Sequence, residues 1–170
     1  MGKRSNFERV ERDFYPTPYE AVVPLLPHLP ERFTYIEPCA GDGALIRPLS
    51  SFEGVAHAQR GDISTGQDAL TIYNTQGQVF ITNPPWDRKI LHPLIDALPR
   101  LAPTWLLFDA DWMHTRQSAP LMHYCRKIVS VGRVKWIPGS KMTGKDNCAW
   151  YLFEQTNDWR TPVTEFYGRI

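Results

Sequence analysis

Short apolar runs alternate with amphipathic segments along most of this chain. Residues 87–101 carry apolar side chains at the spacing of one helix face, and this pattern predicts a helix. Shorter helices are predicted from residue 44, over residues 118–127, and as an irregular segment between residues 16 and 30. Apolar runs with β-type composition predict strands at 33–38, 54–59, 78–82 and 104–110.

Two further apolar runs, 127–137 and 147–154, predict a pair of strands joined by the loop PGSKMTGKD. A hairpin-like connection joins antiparallel strands, so this pair adds an antiparallel strand to the sheet. The preceding alternation of strands and helices predicts a mainly parallel sheet with helices on both faces. In such open α/β sheets, ligands bind at the carboxyl ends of the strands.

Two unusual loops directly follow predicted strands, so we expect them to open onto the same side of the sheet. The first, CAGDG, has glycines at 41 and 43 between a strand and a helix. That spacing alone is a weak signal, since a plain tight turn also explains it. The second is Asn83-Pro84-Pro85-Trp86, in which two prolines end a strand and a tryptophan occupies a loop position. A stiff turn is the simplest alternative for this tetrapeptide.

The composition favours one globular domain without a metal. The chain has 170 residues, of which 42% are hydrophobic and 22% charged. It has no apolar run of membrane-spanning length and no signal peptide, so we expect a cytosolic protein. Three separated cysteines and scattered histidines indicate neither disulfides nor a metal site. With a formal net charge of +1, any contact with nucleic acid must depend on local patches.

Acidic residues around the glycine loop restrict the ligand that it can hold. Glu37 precedes the loop, Asp42 lies within it, and Asp62 follows Gly41 by 21 positions, near the offset of a ribose-binding acid in dinucleotide folds. Two carboxylates at short range disfavour a pyrophosphate. A nucleoside with a cationic end, such as S-adenosylmethionine, fits better. Ile63 is expected to pack on its adenine, and Asp68 either accepts from the adenine amine or caps a helix.

The tetrapeptide suits chemistry on an exocyclic amine of a base. The lone pair of such an amine is delocalised into the ring, and two hydrogen-bond acceptors would draw the nitrogen toward a nucleophilic geometry. The side-chain oxygen of Asn83 and the carbonyl of Pro84 are the candidate acceptors, and the fixed φ of the prolines holds that carbonyl in place. Trp86 provides a flat apolar face on which a base can stack.

These motifs resemble those of the class I S-adenosylmethionine-dependent amino-methyltransferases, and most of all the adenine-N6 DNA methyltransferases of bacteria and phages. The matching segments are DFYPTP (13–18), YIEPCAGDGAL (35–45), GDI (61–63), QDAL (67–70) and ITNPPW (81–86). GDI and QDAL resemble the acidic ends of the family's second and third strands. The resemblance implies a Rossmann-like, seven-stranded, mostly parallel sheet with one antiparallel strand and helices on both faces.

The resemblance also implies the activity and the site. The expected reaction is methyl transfer from S-adenosylmethionine to the N6 amine of adenine in nucleic acid, with DNA favoured over RNA. The implied catalytic residues are Asn83, Pro84, Pro85 and Trp86. The implied cofactor-binding residues are Phe14, Tyr15, Pro16, Thr17, Glu37, Pro38, Cys39, Ala40, Gly41, Asp42, Gly43, Asp62, Ile63, Asp68 and Asn83.

Basic residues around the last predicted hairpin are the candidate contacts with nucleic-acid phosphates. They are Arg133, Lys135, Lys141 and Lys145, helped by Lys3, Arg4 and Arg9 near the amino end. An ordinary solvated hairpin explains the same charges.

The chain departs from the family in one respect. Members that read a DNA sequence usually carry a target-recognition domain, whereas residues 1–170 are predicted to form a single methyltransferase domain. Target sequence, the choice between DNA and RNA, and recognition by a homodimer or a partner are left open. The alternatives are methylation of structured RNA, N5-methylation of a protein glutamine, a catalytically silent binding module, and a hydride-transfer oxidoreductase, which the acidic loop disfavours. The expected location is the cytoplasm, or the bacterial host cytosol if a phage encodes the chain.

Overall fold

A seven-stranded sheet forms the centre of the computed structural model, which describes residues 15–75, 77–137, 139, 143–155 and 164–168. The strands are β1 (Phe33–Glu37), β2 (Val55–Arg60), β3 (Val79–Thr82), β4 (Thr104–Asp109), β5 (Cys125–Arg133), β6 (Asn147–Phe153) and β7 (Glu165–Tyr167). Their order across the sheet is β2-β1-β3-β4-β6-β5-β7. β6 pairs antiparallel with β4 and β5, and every other pair is parallel. The predicted sheet with one antiparallel strand is therefore confirmed.

Helices cover both faces of this sheet. They are α1 (Tyr19–Val22), which continues as a 3-10 helix to His28, α2 (Ile46–Leu49), α3 (Arg88–Ala97) and α4 (Ala119–Met122). α1 and α2 lie in the same buried cluster as Tyr35, Ile81 and Leu107, which belong to one face. α3 packs Leu91 and Ile95 against Leu106, Phe108 and Tyr151 on the other face. Successive strand side chains point to opposite faces, so each buried strand supplies both clusters.

The third helix begins immediately after the Asn-Pro-Pro-Trp loop. The side chain of Asp87 accepts a hydrogen bond of 2.9 Å from the backbone N–H of Lys89, which caps the helix. Leu91, Leu94 and Ile95 are buried at helical spacing, as the sequence pattern predicted. The position and orientation of the loop are thereby fixed by a strand on one side and a capped helix on the other.

One sequence prediction about the second half of the chain was wrong, and one strand there was not predicted. The helix predicted over 118–127 is only one turn long, and β5 already begins at Cys125. Cys125, Ile128, Val129 and Val131 are buried in the sheet, and this burial outweighs the local helical pattern. β7 was not predicted, because its three residues are all exposed and carry no hydrophobic alternation.

Candidate active site

A cavity of about 890 Å³ lies beside the carboxyl ends of β1, β2 and β3. β1 has β2 on one side and β3 on the other. From β1 the chain proceeds to β2 at one edge of the sheet, and from β3 it proceeds to β4 on the opposite side, so the strand order switches between the parallel strands β1 and β3. Ligands of open α/β sheets bind at such a switch point. The loops after β1 and β3 both line this cavity, which confirms that they open onto the same side. The predicted cofactor-binding residues that line it are Tyr15, Pro16, Thr17, Glu37, Pro38, Cys39, Ala40, Gly41, Asp42, Asp62, Ile63, Asp68 and Asn83.

Two members of the predicted set are not among these lining residues. Phe14 lies outside the described residues. Gly43 is the buried last residue of the CAGDG loop, with φ of 83°, a backbone conformation that favours glycine, and its N–H donates to the carbonyl of Ala40 at 2.7 Å. Gly43 therefore shapes the turn.

Asp62 joins the end of β2 to the glycine loop. Its Oδ2 accepts from the backbone N–H of Gly41 at 2.8 Å, and its Oδ1 accepts from the N–H and hydroxyl of Ser64 at 2.8 and 2.5 Å. Partial burial by itself raises the pKa of Asp62, but the hydrogen bonds from Ser64 and Gly41 outweigh it and leave the pKa below its usual value. Asp62 is thus an ionised acceptor that also holds the loop in place.

Glu37 is a buried carboxyl group on the wall of the large cavity. It is 1% exposed, and its Oε1 accepts from the Thr82 hydroxyl at 3.2 Å. Its Oε2 has no hydrogen-bond partner among the described residues. Burial raises the pKa of Glu37 well above its usual value, and the Thr82 hydrogen bond and the charge of Arg60 offset this only in part. An unpaired buried oxygen of this kind is expected to meet a ligand.

Three exposed hydrophobic side chains line the open end of the large cavity. Ile63, Leu70 and Ile90 are 61%, 40% and 39% exposed. Ile63 was predicted to contact the cofactor, whereas Ile90 was assigned to the helix face within residues 87–101 and Leu70 was not predicted to contact a ligand. These side chains form an apolar wall that a flat ring can cover.

Asp68 also lines the large cavity, but it does not lie at the end of a strand as the motif comparison implied. Its Oδ1 accepts from the N–H of Leu70 at 2.9 Å and caps the 3-10 helix Ala69–Thr71. No strand lies among the described residues between β2 and β3, so the comparison of QDAL with the end of a third strand was wrong. Asp68 reaches the cavity from a capped turn.

A second cavity of about 230 Å³ adjoins the first and shares Tyr15 and Asn83 with it. Of the described tryptophans, three are almost fully buried, whereas Trp86 and Trp136 are partly exposed and line this small cavity. Their ring centroids are 5.8 Å apart with an interplanar angle of 85°, so the rings form two walls of a corner. The remaining lining residues are Pro84, Gly144, Lys145 and Asp146. Trp136, Gly144 and Asp146 were not predicted as site residues, because no local pattern connects them to residue 86.

The side chain of Asn83 lies between the two cavities in a defined orientation. Its Nδ2 donates to the carbonyl of Tyr15 at 3.3 Å and to the hydroxyl of Thr17 at 3.1 Å. Trp86 donates its Nε1–H to Asn83 Oδ1 at 3.4 Å and to the carbonyl of Leu107 at 3.2 Å. The amide oxygen of Asn83 is therefore on the side of Trp86, where it can accept a further hydrogen bond.

The remaining predicted residues fall into two groups. Lys145 is exposed and lines the small cavity, and Arg133 and Lys135 are exposed shortly before Trp136 in the chain, while Lys141 lies outside the described residues, as do Lys3, Arg4 and Arg9. The thiol of Cys39 is held protonated, because burial raises its pKa to about 12. Cys39 is therefore a packing residue in the cavity wall.

Comparisons with known proteins identify the fold. No protein-family model and no curated protein sequence matches the chain. A protein of Listeria monocytogenes assigned to the class I S-adenosylmethionine-dependent methyltransferases has a similar structure, with a TM-score of 0.57 and 10% identity over 96% of this chain and 67% of that one. A dimethyladenosine transferase of Plasmodium falciparum has a TM-score of 0.51 and 12% identity over 84% of this chain and 63% of that one. A protein of Pyrococcus horikoshii assigned as an RNA methyltransferase has a TM-score of 0.50 and 15% identity over 89% and 91%. The chain therefore has the class I methyltransferase fold.

Proposed function

We propose that this chain transfers a methyl group from S-adenosylmethionine to the exocyclic N6 amine of adenine in nucleic acid, with DNA as the preferred substrate. The observation that carries the proposal is the position of Asn83, which lies between a large cavity of cofactor size and a small cavity with two tryptophan walls. A methyl donor and a methyl acceptor must meet at such a junction.

The residues of the large cavity fit this cofactor. Its volume of about 890 Å³ is within the usual range for cofactor sites. The unpaired Oε2 of Glu37 suits an α-ammonium group, Asp62 suits the ribose hydroxyls, and the exposed faces of Ile63 and Leu70 suit an adenine ring. When bound, S-adenosylmethionine supplies an electrophilic methyl group on a sulfonium.

Asn83 and Pro84 are the proposed acceptors for the two N–H groups of the target amine. The contacts of the Asn83 amide already turn its oxygen toward Trp86, so no reorganisation is needed when substrate arrives. Two acceptors favour the pyramidal form of the nitrogen, whose lone pair is then free to attack. No strong base is required, because the amine becomes acidic once it is methylated.

Trp86 and Trp136 are the proposed walls for the target base. A base that lies flat on one ring presents its edge to the other ring, since the two rings are nearly perpendicular. Nε1 of Trp86 donates to the Leu107 carbonyl, which keeps its ring from rotating. Lys145 at this cavity supplies positive charge for phosphates, and the exposed Arg133 and Lys135, which precede Trp136 in the chain, are proposed to add to it. Sequence recognition would come from this single domain, a second copy or a partner.

A methylation assay tests the proposed function. In separate reactions, the protein is incubated with methyl-labelled S-adenosylmethionine together with DNA, RNA or a glutamine-containing protein. Nucleosides and peptides are then identified by mass spectrometry. N6-methyladenine in DNA supports the proposal, and label in RNA or glutamine, or in no substrate, overturns it in favour of the corresponding alternative.

Asp62→Ala is expected to weaken S-adenosylmethionine binding by roughly 1.5–3 kcal/mol, because a charged acceptor for the ribose is lost. Isothermal titration measures this change. Ser64→Ala is the matched control, since it removes one donor to Asp62 and keeps the carboxylate. Wild-type affinity in a folded Asp62→Ala protein would show that another acidic residue accepts the hydrogen bonds of the ribose hydroxyls.

Replacing either tryptophan of the small cavity by leucine is expected to weaken oligonucleotide binding by about 1–3 kcal/mol, because the stacking of the base is lost. Fluorescence anisotropy with a short adenine-containing strand measures the loss. Tyr73→Leu is the control, since Tyr73 is 90% exposed and lines neither cavity. If Trp136→Leu binds like Tyr73→Leu, the two-walled site for the base is wrong.

A further inference from the structure

The orientation of the Asn83 amide determines whether it can serve the proposed reaction. An asparagine side chain carries an acceptor oxygen on one side and an NH₂ donor on the other, and the two ends have nearly the same shape. If the amide turned over, its NH₂ would face the NH₂ of the target base, and two donors would oppose each other. Something in the protein must therefore define which end faces the small cavity.

The segment 15–17 supplies two contacts to the NH₂ end of the amide. The carbonyl of Tyr15 can only accept, so it defines which end lies there, and the hydroxyl of Thr17 holds that end in place. The carbonyl of Tyr15 and the hydroxyl of Thr17 both accept from Nδ2, at 3.3 and 3.1 Å, so each N–H of the amide has a partner. These contacts join residues 68 and 66 positions apart in the sequence. Only Thr17 makes its contact through a side chain, so its contribution can be removed by substitution.

Thr17 is also held firmly in place. It is 6% exposed and lies between Pro16 and Pro18. A proline fixes its own φ and restricts the residue before it to extended conformations, so the backbone at Thr17 has little freedom. The position of the hydroxyl relative to Asn83 is therefore set before substrate binds.

We propose that Thr17 is a positioning residue that, together with the carbonyl of Tyr15, holds the Asn83 amide so that its oxygen stays directed at the small cavity. The inference rests on the proposed function, because it gives a role to the acceptor oxygen of Asn83. Thr17 acts on the reaction only through Asn83, because its hydroxyl accepts the hydrogen bond from the Asn83 amide.

Two variants separate the hydroxyl from the rest of the side chain. Thr17→Val has nearly the same shape without the hydroxyl, and we expect kcat to fall about 10-fold with little change in KM for the oligonucleotide. Thr17→Ser keeps the hydroxyl, so its kcat should stay within about 3-fold of wild type. In an Asn83→Ala background, Thr17→Val should change kcat less than about 2-fold, because the two residues act as one unit. An equal loss in the serine and valine variants, or additive losses in the double variant, overturns the proposal.

Hydrogen exchange of the Asn83 side-chain NH₂, followed by NMR, gives a readout that does not depend on activity. In wild type and Thr17→Ser both Nδ2 protons should be protected, and in Thr17→Val at least one should exchange about 10-fold faster. Equal exchange in wild type and Thr17→Val overturns the positioning role whatever the activity. A wild-type protein that shows this pattern but methylates no base supports the Thr17–Asn83 contact and overturns the proposed function instead.

Discussion

Asn83→Ala is expected to lower turnover by about 100- to 1,000-fold, the range seen when one group that stabilises a transition state is removed. The Asn83 oxygen helps most as the target nitrogen becomes pyramidal, so its loss should reduce kcat far more than cofactor affinity. Single-turnover kinetics with an adenine oligonucleotide and titration with S-adenosylmethionine measure the two quantities separately.

Asn74→Ala is the matched control for this variant. Asn74 is exposed and lines neither cavity. Circular dichroism and thermal unfolding check that Asn83→Ala still folds, since the substitution also removes the contacts with Tyr15 and Thr17. Methylation by a folded Asn83→Ala protein at the wild-type rate would show that the two prolines form only a stiff turn at the end of β3.

Glu37→Gln is expected to weaken S-adenosylmethionine binding by about 1.5–3 kcal/mol, or roughly 10- to 150-fold, because a buried charged hydrogen bond is lost. Glutamine has the shape of the glutamate but no charge for the α-ammonium group. Titration calorimetry measures this loss of affinity. When it is repeated in buffers of different ionisation enthalpy, it also gives the number of protons that the protein releases on binding the cofactor. Burial raises the pKa of Glu37 in the free protein, so binding of a cationic ligand above the ordinary glutamate pKa should release up to about one proton from Glu37, and the variant should lack this release.

The same substitution should change how stability depends on pH. The pKa of Glu37 is raised in the folded protein, mainly by burial. Below the ordinary glutamate pKa of about 4.3 the group is protonated in both states and has no effect on the free energy of unfolding. As the pH rises above that value the unfolded chain ionises first, so wild-type stability should fall by up to about 1.4 kcal/mol per pH unit relative to Glu37→Gln.

Thermal unfolding of the cofactor-free proteins between pH 5 and pH 7 measures this difference. We expect the melting temperature of Glu37→Gln to rise relative to wild type as the pH increases. Glu53→Gln is the control, because Glu53 is exposed and does not line the large cavity. A wild-type melting temperature that keeps a constant offset from the variant would show that Glu37 is ionised in the free protein.

Most of the parallel half of the sheet and the large cavity could be predicted from local sequence. The apolar runs before residues 38 and 83 form β1 and β3, and the loops after them meet because parallel strands end at one edge of the sheet. Glu37, Gly41 and Asp62 were identified from spacing and charge, since each follows or ends a strand at a characteristic position. The sequence of apolar runs and the spacing of the residues that follow them are therefore sufficient to predict these features.

The second half of the chain was less predictable. Residues 118–127 have a helical pattern, yet β5 begins at Cys125, because pairing with β6 and burial in the sheet stabilise a strand there. β7 carries no pattern and exists through its pairing with β5. The start of β5 and the existence of β7 each depend on a partner strand, so the segment itself does not show them.

The sequence by itself determined the α/β architecture, the edge of the sheet that carries the cavity, and the Asn-Pro-Pro-Trp loop at that edge, because each depends on periodicity or spacing within a short segment. Only the tertiary structure decided that Trp136 closes the small cavity against Trp86 and that Tyr15 and Thr17 orient the amide of Asn83. These contacts join residues 50 to 68 positions apart. They form only once the sheet has brought the chain segments together, so no local pattern records them.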